Sequence, residues 1–203
     1  MPRPSLTAAL LIAPALFAAA VPASAQLSQS QGYKFLQAVK DGKNDEVIQA
    51  LSKPGSTIVN ARDVTSGDGA LAIVIKRGDM AYLNYLLQMG ADPNLRDGKG
   101  NTPLLLAVTE GETDMIPVLA KAKANPNLGN AGGETPLIRA VQRRDLAMVR
   151  ALLAAGGDPD QRDSLAGLSA RDYATQDQRN LPIAKIFAET PKTAKRAVAG
   201  PKF

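Results

Sequence analysis

Four residues return along this chain at a fixed interval. Thr102-Pro103-Leu104-Leu105 comes back as Thr135-Pro136-Leu137-Ile138, and a worn copy, Gly69-Ala70-Leu71-Ala72, stands one interval earlier. Leu168-Ser169-Ala170-Arg171 reads as the next copy, which makes the spacing 33 residues throughout. A second phrase keeps the same time: Ala91-Asp92-Pro93-Asn94, Ala124-Asn125-Pro126-Asn127 and Gly157-Asp158-Pro159-Asp160. Repetition at this period restricts the chain to a solenoid, in which each unit is one supersecondary element whose apolar faces close only against its neighbours. A chain of this kind is a stack, and what it offers is surface.

Within a unit the pattern alternates between turn chemistry and helical spacing. In the stretch from Asn94 to Pro126, Arg96-Asp97-Gly98-Lys99-Gly100 is rich in turn formers and predicts the tip of a hairpin-like finger. Thr102 is placed to cap a helix, with Pro103 at its first position, where a missing N–H costs nothing. Leu104, Leu106, Ala107 and Val108 give that helix an apolar face, and Gly111 ends it. Met115, Ile116, Val118 and Leu119 form the buried stripe of a second helix.

These phrases resemble ankyrin repeats. Thr-Pro-Leu at 102–104 and 135–137, Gly-Ala-Asp-Pro-Asn at 90–94 and Ala-Val-x-x-Gly at 107–111 carry the resemblance, which extends from about Tyr33 to Ala188. It implies an all-α solenoid of stacked helix-turn-helix units with hairpin-like finger loops. Full repeats are expected at 60–93, 94–126 and 127–159, an N-terminal capping unit at 33–59 and a degenerate C-terminal cap at 160–189. The inward face of the first unit is read as Phe35, Leu36, Ala38, Val39, Val47, Ile48 and Leu51.

The departures from the pattern carry predictions of their own. The histidine that usually follows Thr-Pro-Leu in this family is Leu105 and Ile138, and the chain has no histidine at all, which implies looser fingers rather than lost chemistry. Pro117 falls inside a second helix, where a mid-helix proline would cost about 3 kcal/mol. It is harmless in the first turn, whose N–H groups have no helical partner. Asp114 is therefore expected to cap this helix, starting it about two residues later than its neighbours, which Asp79 and Asp145 cap. Lys123 stands where Gly90 and Gly156 end the equivalent helices.

The two ends read differently from the body. Arg3, the apolar run from Leu6 to Val21 and the triplet Ala23-Ser24-Ala25 describe a secretory signal, residues 1–25, cleaved between Ala25 and Gln26. No stable membrane anchor is expected after cleavage. Residues 190–203 read as a basic, disordered tail. The net charge of +5 resides there and in Arg3: from Gln26 to Glu189 there are 19 Lys and Arg against 19 Asp and Glu. A neutral body argues against nucleic-acid binding.

Catalytic chemistry finds few candidates. The absence of both His and Cys removes the commonest general bases, nucleophiles and transition-metal ligands, so no catalytic residue, metal or cofactor is expected. Asp158, Asp160 and Asp163 lie close together but lack the Gly-centred loop of a calcium site, and they read as turn and cap residues. The glycines at 98, 100, 129, 132 and 133 lack the order of a phosphate loop and read as finger-tip positions needing positive φ. Tyr82 and Tyr85, three apart on a helix, read as packing.

The resemblance implies that fingers and first helices line a concave face, with the second helices behind. Protein-binding candidates on it are Asp68, Asp97, Lys99, Asn101, Asn130 and Glu134 from the fingers. The ends of the first helices add Lys76, Arg77, Thr109, Glu110, Gln142, Arg143 and Arg144. The row Lys76-Arg77 and Gln142-Arg143-Arg144 makes that edge locally basic and suited to an acidic patch. The expectation is a monomeric, non-catalytic protein-interaction module of a bacterial periplasm, its protein partner unidentified. The alternatives are a secreted interaction protein acting on a host or competitor cell, and a small-ligand-binding or enzymatic protein using the concave groove.

Overall fold

In a computed structural model, residues 30–53 and 56–191 of the protein are described. The expected signal at 1–25 and nearly all of the expected tail lie outside the described residues. Among those described, ten α-helices form five successive pairs: α1 (Gln31–Asp41) with α2 (Asn44–Leu51), α3 (Ala70–Lys76) with α4 (Met80–Gln88), and α5 (Pro103–Glu110) with α6 (Met115–Lys121). The stack continues with α7 (Pro136–Gln142) and α8 (Leu146–Ala154), then α9 (Ala170–Gln176) and α10 (Leu181–Glu189). First helices pack side by side along the stack more extensively than second helices do. The row of first helices is thus the more tightly packed side of the stack.

One apolar spine runs through all five pairs, from Phe35 and Val39 through Ile75, Leu83, Leu104, Ile116, Ile138 and Leu152 to Phe187. A pair alone would leave half of this surface in water, so each needs the next. Leu105 and Ile138, where the family's histidine would stand, are buried as well. Of the expected inward face of the first unit, Phe35, Leu36, Ala38, Val39 and Val47 are buried and Leu51 is half-buried, but Ile48 is 52% exposed. It lies on α2, a second helix at the end of the stack with no preceding pair to cover it.

The local signals act as their chemistry requires. Thr102 Oγ1 accepts the N–H of Leu105 at 3.2 Å and Thr135 Oγ1 that of Ile138 at 3.3 Å, with a proline at the first helical position in both. Asp79 and Asp145 cap α4 and α8 by accepting from Tyr82 N and Met148 N. Helix α6 begins at Met115, two residues behind the positions equivalent to Met80 and Leu146, and Pro117 sits in its first turn. Asp114 occupies the capping position, but its side chain makes no capping bond. A tight turn serves instead, with Met115 N bonded to Glu112 O and Ile116 N to Thr113 O.

The second phrase encodes a clamp between units. Asn94 Oδ1 accepts the N–H of Asn125 at 2.7 Å while Nδ2 donates to Lys123 O; Asn127 repeats this with Asp158 N at 2.7 Å and Gly156 O at 3.1 Å. Asn60 makes the same pair with Asp92 N and Gly90 O. Two places before Asn94, Asn127 and the equivalent Asp160, a side chain closes its own turn: Asp92, Asn125 and Asp158 accept from the N–H groups of these three. In the last unit Asp160 takes the clamp position and binds Arg171 at 2.7 Å.

The register of the last copy is corrected. The capping equivalent of Thr135 is Ser169, which accepts from Asp172 N, so this step is 34 residues rather than 33. The finger before it carries one extra residue: Gly167, at φ +66°, follows Asp163 by four, where Gly133 follows Asn130 by three. The glycine expectation is corrected too. Only Gly100 and Gly133 of the five have positive φ. Gly98 is fixed by close approach, since a Cβ there would stand 2.6 Å from Ser66 O.

Candidate functional site

Four fingers project from the stack, and each is organised by one side chain at its base. Asp97 is buried, and its carboxylate accepts from Lys99 N, Asn101 N and Asn101 Nδ2. Asn130 fills the same place one unit on, accepting from Gly132 N and Glu134 N. Asp63 and Asp163 do so in the first and last fingers. The amides from Ser66 and Thr65, helped by the Lys40 ammonium at 3.1 Å, hold the Asp63 carboxyl down at about 2. Burial of Asp163 acts upwards, and the hydrogen bonds from Tyr173 Oη, Ala166 N and Gly167 N outweigh it, leaving a lowered value. The Tyr173 hydroxyl, donating to Asp163 at 2.6 Å, is pushed up to about 12.

Adjacent tips are joined by one backbone bond per step: Gly98 N to Ser66 O, Ala131 N to Lys99 O, and Ser164 N to Gly132 O. These joins tie the fingers in a chain without histidine. The donor is always the residue after the finger's basal Asp or Asn, and the acceptor always precedes its positive-φ glycine.

Several sequence candidates turn out to be supports rather than free contacts. Asp97, Asn101 and Asn130 hold finger backbone, and Asn130 Nδ2 also reaches Asn101 Oδ1 at 3.3 Å. Glu134 pairs with Arg139 at 2.7 Å, and Asp68 takes the Lys76 ammonium at 2.8 Å. The basic edge is largely engaged between units. Arg77 donates to Val39 O and pairs with Asp79, Arg143 donates to Thr109 O, and Arg144 pairs with Asp177 at 2.9 Å. Arg143 and Arg144 are exposed, but a charge reversal there would also loosen the stack. Thr109 donates to Leu105 O. Lys99, Glu110 and Gln142 remain exposed, and neither Lys99 nor Glu110 forms an ion pair among the described residues.

Lys99, Asn130, Glu134 and Gln142 converge on a depression of about 350 Å³ between the second, third and fourth fingers, together with Arg139, Leu165 and Tyr173. Asp68 and the ends of α3 and α5 lie apart from it. Arg139 Nε is buried there with no hydrogen-bond partner. Sequence reasoning missed Leu165, which is 86% exposed at the tip of the fourth finger, and Val64, 69% exposed at the first. The signal was available: both sit in the fingers whose glycine comes one residue late. Tyr82 and Tyr85 form an edge-to-face pair with centroids 6.0 Å apart, as packing residues do. Asp158, Asp160 and Asp163 serve a turn, an ion pair and a finger base, respectively.

Comparison with protein families agrees with this architecture. A family model described as ankyrin repeats (3 copies) matches residues 35–130 and 71–163, together well over half of the chain. Capped helix pairs, fingers and a matching family model lead to one conclusion: this chain belongs to the ankyrin-repeat family, whose repeats mediate protein–protein interactions.

Proposed function

We propose that the chain is a non-catalytic protein-binding module that works in the periplasm after removal of residues 1–25. The observation that carries the binding role is the continuous row of joined fingertips, which presents Lys99 and Leu165 on a common support while the core and the turns make no use of their side-chain ends. Loops positioned by a scaffold in this way are favoured sites of recognition. Catalysis has little to draw on. The chain lacks His and Cys, and the carboxylates of Asp79, Asp97, Asp145 and Asp163 are occupied in holding backbone N–H groups. The periplasmic assignment rests on the signal-like segment ending at Ala25.

The test is crosslinking in cells followed by recovery from the periplasmic fraction, with mass measurement of the recovered chain. A finger variant, Thr65→Arg with Lys99→Glu and Ala131→Arg, is compared with a variant of the second helices, Lys121→Glu with Arg150→Glu. A partner retained by the second variant and lost by the first is the expected result. Recovery of nothing specific from correctly folded protein would sink the binding role. A chain found intact from Met1, or absent from that fraction, would sink the location.

A further inference from the structure

The row of fingertip bonds stops at the fourth finger, where its next acceptor is left open. By the rule of the preceding steps this acceptor is the residue before the positive-φ glycine, namely Ala166, ahead of Gly167. Ala166 is exposed, and its carbonyl accepts no hydrogen bond from the described residues. Beside it stands Leu165, the most exposed of the large apolar side chains. A short way across the depression is Lys99, a cation without an ion pair, whereas the other charges around it are closed: Glu134 on Arg139, and Asp163 on Tyr173 and two amides. An open backbone acceptor and an exposed aliphatic side chain thus lie together at one end of the row, and an ammonium from the second finger shares the depression with them.

We infer that this end of the row is the specific docking point of the protein partner, and that the partner docks there as an extended acidic-aliphatic segment. The inference rests on the protein-binding reading above. A backbone N–H of the segment donates to the Ala166 carbonyl and continues the tip-to-tip row by one step, as an added strand continues an exposed edge. An aliphatic side chain of the segment covers Leu165, and a carboxylate meets Lys99. Charge complementarity selects the carboxylate: Lys99 is exposed and without an ion pair among the described residues, whereas the Asp163 carboxylate in the same depression is buried and taken up by Tyr173 and two amides. A second copy of the chain fits less well. Among the described residues no finger precedes α1 and α2, so an end-to-end stack of them would leave a gap one finger wide at Ala166. Nucleic acid is disfavoured by the balanced charge of the body.

The test uses the purified protein and a phage-displayed library of random linear dodecapeptides. Selection should enrich peptides with Asp or Glu next to Leu, Ile or Val. A synthetic peptide from the enriched set should lose about tenfold or more in affinity to Lys99→Glu and to Leu165→Ser, by fluorescence polarisation. N-methylation of the peptide backbone at one amide should do the same, and Arg150→Glu should change nothing. Lys99 and Leu165 are exposed, so both variants should keep the wild-type circular dichroism and unfolding midpoint. No enrichment, or enriched peptides indifferent to both substitutions, would overturn the inference. So would concentration-dependent self-association abolished by Leu165→Ser, which would assign the face to a second copy. A crosslinked partner indifferent to both variants would remove this docking point and leave the binding role standing.

Discussion

Removing one interunit clamp tests whether the second phrase of the sequence holds the stack together. Asn127→Ala deletes an acceptor for Asp158 N–H at 2.7 Å and a donor to Gly156 O at 3.1 Å. Each such bond contributes about 1 kcal/mol net, and a half-buried amide can regain some water, so the loss should come to about 2 kcal/mol. Asn127→Asp keeps the acceptor but turns a second oxygen on Gly156 O, and should cost about 1 kcal/mol or somewhat more. Asn60→Ala should cost less than Asn127→Ala, since the donor bond of Asn60 is longer, at 3.4 Å, and its acceptor bond is exposed where that of Asn127 is part-buried. Urea unfolding followed by far-ultraviolet circular dichroism measures these differences, with Asn84→Ala, on the exposed side of α4, as control. In a solenoid the loss falls on one interface, so hydrogen exchange in α9 and α10 should quicken more than in α3. A change under about 0.5 kcal/mol, or one no larger than the control's, would refute the clamp as a determinant of stability.

Lys123 is held at φ +71°, so Lys123→Gly should stabilise the protein by about 0.5–1 kcal/mol, the relief of left-handed strain less the added freedom of the unfolded chain; urea midpoints decide. Pro117 displaces no helical hydrogen bond, so Pro117→Ala should leave stability unchanged or lower it by up to about 1 kcal/mol; a gain of 2–3 kcal/mol would mean the proline breaks the helix. Asp63 has a folded value near 2 against 3.8 for the free side chain. A lowered value means stabilisation that is full above the free value and lost as pH falls through 3.8 toward 2. The advantage of the wild type over Asp63→Asn should accordingly be constant at neutral pH and vanish near pH 2 in acid-unfolding curves.

The fold was legible because its signals are local and repeated. A Thr-Pro cap, an apolar helical face and an Asx turn each act within a few residues, and repetition separates them from chance. The late start of α6 followed from Pro117 alone. The slip of the last copy was harder to see, because Ser169 and Leu168 are both plausible at that position. Only the interval from Asp163 to Gly167 separates them. The candidate site was half legible. Charged residues at finger and helix ends could be named, but not their partners: Arg77 reaches back 38 residues, Arg143 reaches back 34 and Arg144 reaches forward 33. Nothing beside these arginines in the sequence says that they are spoken for. Leu165 was passed over because a leucine in a turn carries no polar signal.

The short turns between paired helices form the edge of the stack opposite the fingers, and this edge is braced at every joint but one. Arg77 braces the first joint, Arg143 the third, and Arg144 with Asn180 the fourth. At the second joint, between the α3–α4 and α5–α6 pairs, the corresponding residue is Glu110, which cannot donate to the carbonyl behind it. That joint is pinned along its finger edge by the Asn60 clamp and the bond from Gly98 to Ser66, and along its middle by apolar packing. The packing of α3 against α5 at that joint is as extensive as any between neighbouring first helices, so opening there should begin at the Gly78 and Gly111 edge and spread inward last.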